Sequence, residues 1–163
     1  MKRTLASLLV LFLLLLPLGA CGEGSAAAPE TAAEYTALPA GSGLTIPIDA
    51  VTSTATYYPL TVNGVRLEVL AVIAPDGTLR TAFNTCQVCN GSPYAYFVQD
   101  GSALTCQNCG NQFPLSAVGK AAGGCNPVPI LASERTETAN SITIPYELLA
   151  ANAYRFPSNW KTA

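Results

Sequence analysis

The sequence of 163 residues contains no histidine. Histidine is the usual base of serine and cysteine hydrolases, so its absence excludes Ser-His-Asp and Cys-His catalytic sites. Four carboxylates, Asp49, Glu68, Asp76 and Asp100, are scattered along the chain, and we expect them to be solvated surface groups. These features favour a binding protein or an electron carrier over an enzyme.

Charge is also scarce, because Asp, Glu, Lys and Arg make up 11% of the residues, against about 25% in an average soluble protein. The basic residues form no stripe or cluster, which argues against a nucleic-acid partner. Cleavage before residue 21 would remove two basic residues and leave six against ten acidic ones, a net charge of −4.

The N-terminal apolar run, residues 5–16, is shorter than the ~20 residues that a membrane-spanning helix needs. Lys2 and Arg3 precede it, and Leu18-Gly19-Ala20-Cys21 follows it. This arrangement favours a signal peptide; a transmembrane anchor is the alternative interpretation.

The end of this segment resembles a bacterial lipobox. The resemblance implies that residues 1–20 are a lipoprotein signal peptide and that Cys21 is lipidated. Two or three acyl chains anchor a protein stably, so we expect attachment to the cell membrane on its extracytoplasmic face. The sequence leaves open whether that membrane is the inner or the outer one.

The rest of the chain divides into a tether and one domain. Residues 22–43 are rich in Ala, Gly, Ser, Pro and Thr, which cannot bury enough apolar surface to offset their ordering entropy. We therefore assign residues 21–43 to the lipidated cysteine and a flexible tether. Residues 44–163 have the length of a single domain with a real core.

This domain is predicted to be mostly β, with a minor α component. Strands are predicted at 65–73, 78–84 and 141–145, with an edge strand at best over 44–51 because of Pro47. Asp100-Gly101 is the strongest hairpin signal. One helix is predicted over 145–154, where Leu148, Leu149 and Ala153 can face the core, and a single helical turn over 115–120.

Two Cys-x-x-Cys pairs, Cys86/Cys89 and Cys106/Cys109, are separated by sixteen residues. Each pair is placed in a hairpin loop and is followed by a residue that tolerates left-handed backbone, Asn90 or Gly110. Such a turn directs two sulfurs at one point, and backbone N–H groups can donate to the thiolates. Two such knuckles can complete a tetrahedral four-sulfur metal site.

Disulfides are the alternative, because exported proteins reside in oxidising surroundings. Once Cys21 is lipidated, five thiols remain, and five cannot all pair within one chain. A thiol–disulfide redox role is a third alternative, but the thioredoxin-like βαβ pattern is missing. A metal site therefore fits the pattern best, with zinc, a single iron or an iron–sulfur cluster as candidates.

The segment 104–119, LTCQNCGNQFPLSAVG, is similar to the second cluster-binding loop of a Rieske domain. The resemblance implies a small Rieske-like antiparallel β domain. Cys89 and Cys109 stand where a Rieske domain has histidines, so a conventional Rieske centre is excluded. Four thiolates should give a [2Fe–2S] cluster a lower potential than histidine ligation does.

Residues 55–155 resemble the FtrD-like family of membrane iron–sulfur proteins, through the two Cys-x-x-Cys pairs and the following Gly-Gly-Cys-Asn-Pro. The resemblance implies that Cys86, Cys89, Cys106 and Cys109 are the ligands, with [2Fe–2S] the favoured cofactor. It also implies electron transfer or metal handling for a membrane iron-uptake or respiratory complex. Some members carry membrane helices before this domain, where this chain has a predicted lipid anchor.

Cys125 is the remaining thiol, in AAGGCNPVPI. It is either a spare ligand or redox partner beside the metal, or a buried small apolar residue. Because four cysteines already fill a tetrahedral site, we expect Cys125 to be dispensable for binding. For the protein as a whole, the alternative to a redox carrier is a lipoprotein whose structural zinc stabilises a binding domain.

Overall fold

The computed structural model describes residues 34–120 and 123–162. The predicted signal peptide and Cys21 lie outside the described residues. Within these ranges the chain forms short strands and one α-helix, numbered here along the sequence. They are β1 Thr36–Ala37, β2 Leu44–Pro47, β3 Thr56–Val62, β4 Val65–Ile73, β5 Leu79–Cys86, β6 Phe97–Asp100, β7 Ala103–Cys106, β8 Gln112–Pro114, β9 Pro127–Ile130, β10 Thr136–Glu137, β11 Ser141–Ile144 and α1 Tyr146–Asn152.

The strands form three sheets, so the predicted mostly β fold is confirmed. The central sheet has the order β1-β3-β4-β5-β9, and two smaller sheets have the orders β10-β11-β2 and β6-β7-β8. All pairings are antiparallel except β1 with β3. Strand β1 lies within the segment predicted as a tether, so the sheet begins before residue 44.

The strongest strand of the sequence, β4, runs through the middle of the central sheet with both faces covered. Leu67, Val69 and Ala71 belong to one apolar cluster, whereas Leu70 and Val72 belong to another. Successive side chains of a strand point to opposite faces, so this strand needs apolar residues at nearly every position. That is why VRLEVLAVI is almost continuously hydrophobic rather than alternating.

The two apolar clusters form two cores on opposite faces of the central sheet, and only the second contains cysteines. The first core joins the central sheet to the sheet β10-β11-β2, to α1 and to the aromatic residues Phe156 and Trp160. The second core joins the opposite face to the sheet β6-β7-β8 and includes the side chains of Cys86 and Cys106. The cysteines are therefore built onto the second core.

The predicted helix is confirmed as α1, with Pro145 immediately before its first residue and Leu149 fully buried. A turn of 3₁₀ helix, Ala153–Arg155, continues it, and another, Leu115–Ala117, occupies the predicted helical turn over 115–120. In the part of the chain that the structure describes, no helix has the length and apolar character needed to cross a bilayer.

Glu68 is not the solvated carboxylate that the sequence suggested. It is 3% exposed, and both of its oxygens accept hydrogen bonds from Lys161 Nζ, at 2.9 and 2.8 Å. The ammonium also lies 5.0–5.6 Å from the ring centres of Tyr57, Tyr96 and Trp160. A cation in the C-terminal segment thus neutralises a carboxylate inside the sheet, a long-range pairing that sequence spacing does not reveal.

Candidate metal centre

All five cysteines of the described residues meet at one end of the second core, and none is in a disulfide. The Sγ atoms of Cys86, Cys89 and Cys106 lie within 4.8 Å of one another, as do those of Cys89, Cys109 and Cys125. The structure therefore brings together three of the four predicted ligands, Cys86, Cys89 and Cys106, and places the fourth, Cys109, in the group with Cys89 and Cys125.

The first cysteine of each pair is the last residue of a strand. Cys86 ends β5 and Cys106 ends β7, and both are fully buried. Pairing with neighbouring strands fixes their backbones, through Cys86 with Pro127 and Cys106 with Phe97. Strand geometry thus sets the position and direction of these two sulfurs before any metal binds.

The second cysteine of each pair lies within a tight turn of the same kind. The N–H of Asn90 donates to the carbonyl of Cys86, and the N–H of Gly110 donates to that of Cys106, both at 2.8 Å. Gly110 has φ 73°, as predicted, but after the first pair the left-handed residue is Gly91, with φ 94°, rather than Asn90. Each turn carries its second sulfur back toward the first.

The two knuckles differ in what they connect. The second pair lies between the antiparallel strands β7 and β8, as predicted for a hairpin loop. The first pair does not join two paired strands: it begins the crossover from β5 in the central sheet to β6, which pairs with β7 in the small sheet. The hairpin at Asp100-Gly101 is present and connects the knuckles.

Hydrogen bonds from residues other than the cysteines link the two knuckles to each other and link the first knuckle to Asn126. Ser92 Oγ donates to Asn108 Oδ1 at 2.6 Å, linking the loop of the first knuckle to the second. The N–H of Gln87 donates to the carbonyl of Asn126 at 2.9 Å, and Asn126 Nδ2 donates to Gln87 Oε1 at 3.1 Å. Asn126 is 1% exposed, so these bonds hold the neighbouring Cys125 against the first knuckle.

A repeated pattern in the sequence marks some of these contacts. Both knuckles read Thr-Cys-Gln-x-Cys, at 85–89 and 105–109. In each one the glutamine N–H donates to a carbonyl from another segment, that of Asn126 for Gln87 and that of Tyr96 for Gln107. The repeated glutamine therefore marks a backbone anchor, although spacing alone could not identify its acceptor.

The thiols differ in how readily they ionise. Burial raises the pKa of the Cys86 thiol above its usual range, and the hydrogen bond from the N–H of Cys89, at 3.5 Å, offsets part of this effect. The backbone amide of Asn111 lowers the pKa of the exposed Cys109 thiol to about 7, with help from the Cys125 thiol. The outer edge of the cluster can therefore present a thiolate at neutral pH.

This donor set fits a thiophilic metal. Thiolates select zinc, copper(I) and iron–sulfur clusters, and a metal–sulfur bond of about 2.3 Å places the sulfurs of a tetrahedral site ~3.8 Å apart. The sulfurs of Cys125 and Cys86 are 3.5 Å apart, and those of Cys125 and Cys89 are 3.9 Å apart. The cluster is thus compact enough to hold metal.

A family model for "Membrane iron-sulfur containing protein FtrD-like" matches residues 51–156. This range contains all five clustered cysteines, together with the strands that position them. Comparison with curated proteins and with solved structures gives no match.

Proposed function

This chain belongs to the FtrD-like family of membrane iron–sulfur proteins, and from this premise we propose that it is a membrane-anchored electron carrier. Cys86, Cys89, Cys106 and Cys109 would hold a [2Fe–2S] cluster, and the partner would be a membrane iron-uptake or respiratory complex. The observation that carries the proposal is that these four sulfurs lie in two three-sulfur groups joined through Cys89, in a region that the family match covers. When bound, such a cluster supplies one-electron redox chemistry.

The buried and exposed cysteines would have different roles toward such a cluster. Cys86 and Cys106 are buried at strand ends, where they would provide rigid ligands and exclude water. Cys109 is exposed, so electrons would reach a partner protein most directly on that side. The backbone N–H of Cys89, near the sulfur of Cys86, would stabilise thiolate charge at the buried end.

The experiment for this function is purification without chelator under anaerobic conditions, followed by iron and acid-labile sulfide analysis. We expect two irons and two sulfides per chain, a visible absorption band and a paramagnetic signal after one-electron reduction. Colourless protein with one zinc per chain and no sulfide would overturn the proposal.

Structural zinc is the second candidate function. The sulfurs of Cys86, Cys89 and Cys106 lie within one small group, which suits a single tetrahedral ion as well as a cluster. The N-terminal segment has Lys2-Arg3 rather than twin arginines, which suits export of an unfolded chain. Zinc could then bind outside the cell without assembly machinery, so metal analysis distinguishes the candidates.

The membrane attachment is proposed to run through Cys21. The supporting pattern is Leu18-Gly19-Ala20-Cys21 after an apolar run too short to span a bilayer. Cells fed labelled palmitate should label the wild-type protein, whereas Cys21→Ala should be unlabelled and either released or unprocessed. Labelling that survives Cys21→Ala would reject the anchor.

A further inference from the structure

The sulfur of Cys125 lies close to three of the other four cysteine sulfurs, although a four-ligand site does not require it. Its Sγ lies 3.5 Å from that of Cys86, 3.9 Å from that of Cys89 and 3.1 Å from that of Cys109. A tetrahedral ion or a [2Fe–2S] cluster takes four protein sulfurs. The fifth sulfur therefore has a position in the cluster but no assigned ligand role.

The position of Cys125 is built by the fold. The next residue, Asn126, is buried and bonded to Gln87 of the first knuckle by both backbone and side chain. The preceding residue, Gly124, has φ 96°, which residues with a side chain rarely adopt. The chain on either side of Cys125 thus directs its sulfur toward the other four.

Two groups of three sulfurs that share Cys89 include all five cysteines, and they adjoin where Cys125 lies 3.5 Å from Cys86. Cys86, Cys89 and Cys106 form the first group, and Cys89, Cys109 and Cys125 form the second. Three sulfurs around a trigonal ion with bonds of about 2.3 Å lie ~4 Å apart, within the 4.8 Å that bounds each group. Two trigonal ions need six metal–sulfur bonds, which five sulfurs supply if one of them bridges.

We propose that this cluster also binds two copper(I) ions, one in each three-sulfur group, with the Cys89 thiolate bridging them. Copper(I) is the thiophilic ion that accepts three-coordinate thiolate sites, and thiolates select it strongly. The proposal rests on the assignment of the knuckle cysteines as metal ligands under the proposed function. It adds a second cargo and gives Cys125 a direct role.

The two positions differ in their access to solvent. The first contains the buried Cys86 and Cys106, whereas the second contains the exposed Cys109 and the half-buried Cys89 and Cys125. An ion in the second position can be approached by an incoming thiol, because one of its ligands faces water. We therefore expect the second copper to exchange faster and to bind less tightly than the first.

The test is a copper(I) titration of reduced, metal-free protein under anaerobic conditions, read by native mass spectrometry with a competing chromophoric chelator. Wild type should saturate at two copper ions, and Cys125→Ser at one. Cys106→Ser should also saturate at one, because it removes a ligand of the other group. Val88→Ser is the matched control: Val88 is 64% exposed within the first knuckle, so this variant should keep two.

Saturation of wild type at one copper, or of Cys125→Ser at two, would overturn the inference. Iron and sulfide analysis of the same proteins separates this result from the proposed function. Wild type that holds an iron–sulfur cluster but binds one copper would sink only the two-copper site. Wild type that binds two copper ions but never holds iron would sink only the iron–sulfur assignment.

Discussion

The cluster has an inner pair, Cys86 and Cys106, and three outer sulfurs, those of Cys89, Cys109 and Cys125. The inner pair is fully buried at the ends of paired strands. The outer sulfurs are partly or fully exposed and lie in turns and loops. The inner pair is thus held by strand pairing, whereas the outer sulfurs are held by turns and loops.

This difference shows that one cysteine can be both a candidate metal ligand and part of the apolar core. The inner sulfurs belong to the second core together with Leu70, Phe97 and Leu104. Replacing an inner cysteine therefore removes a ligand and damages packing, whereas replacing the exposed Cys109, which is not part of this core, removes only a ligand.

Serine substitution of the knuckle cysteines should have the largest effect on metal content and stability. If inner and outer variants behaved alike, the distinction between the two sets of sulfurs would fail. We expect each of Cys86→Ser, Cys89→Ser, Cys106→Ser and Cys109→Ser to lose the iron or zinc of the proposed function and much of the stability, because binding free energy at such a site is folding free energy. In metal-free protein the free energy of unfolding of the inner variants should be lower than that of the outer variants by about 1–3 kcal/mol, because each inner variant leaves a buried hydroxyl without an assured hydrogen-bond partner.

Metal content and thermal unfolding, with and without metal, measure both effects. Single variants that retain full metal content and unchanged melting would show that the four sulfurs do not act together. Equal stability of metal-free Cys86→Ser and Cys109→Ser would remove the distinction between inner and outer positions.

The ion pair between the buried Glu68 and the partly exposed Lys161 gives the next largest effect. Lys161→Met leaves the Glu68 carboxylate buried without its cation, and we expect a loss of roughly 3 kcal/mol. The N–H of Lys161 also donates to the carbonyl of Pro93, in the loop after the first knuckle. Amide hydrogen exchange should therefore rise around Cys89 more than around Cys109.

Lys120→Met is the matched control, because Lys120 is exposed and makes no ion pair within the described residues. It should leave stability within about 0.5 kcal/mol of wild type. A loss as small in Lys161→Met would mean that the pair contributes nothing to the fold.

Thiol ionisation sharpens the comparison without mutation. In reduced, metal-free protein Cys109 should be alkylated first, with a rate that rises through about pH 7 as its thiolate forms. Cys86 should react last, by at least about tenfold, because burial raises its pKa and blocks access. Peptide mapping of iodoacetamide labelling between pH 5 and 9 measures the order; preferential labelling of Cys86 at pH 7 would contradict it.

The smallest expected effect concerns iron in Cys125→Ser. The four knuckle cysteines suffice for a tetrahedral ion or a [2Fe–2S] cluster, so iron content should stay near that of wild type. The reduction potential or resistance to oxidation should change, because a thiol has left the second coordination sphere. Voltammetry beside wild type measures this; a loss of iron as complete as in Cys109→Ser would make Cys125 a primary ligand.

Local sequence determined the elements whose causes are local. The strand over 65–73, the hairpin at Asp100-Gly101 and the helix after Pro145 follow from short-range apolar pattern and turn chemistry, and each is present. Each Cys-x-x-Cys pair likewise forms its own turn, because the spacing and a nearby glycine suffice for that geometry.

Tertiary structure alone decided which distant groups meet. Cys125 contacts Cys86 across 39 residues of sequence, and Lys161 neutralises Glu68 across 93. The first knuckle became a crossover because β6 pairs with β7 rather than with β5. Such contacts depend on which sheet faces pack against each other in the two apolar cores. That packing minimises the apolar surface exposed to water over the whole domain, so no short stretch of sequence encodes it.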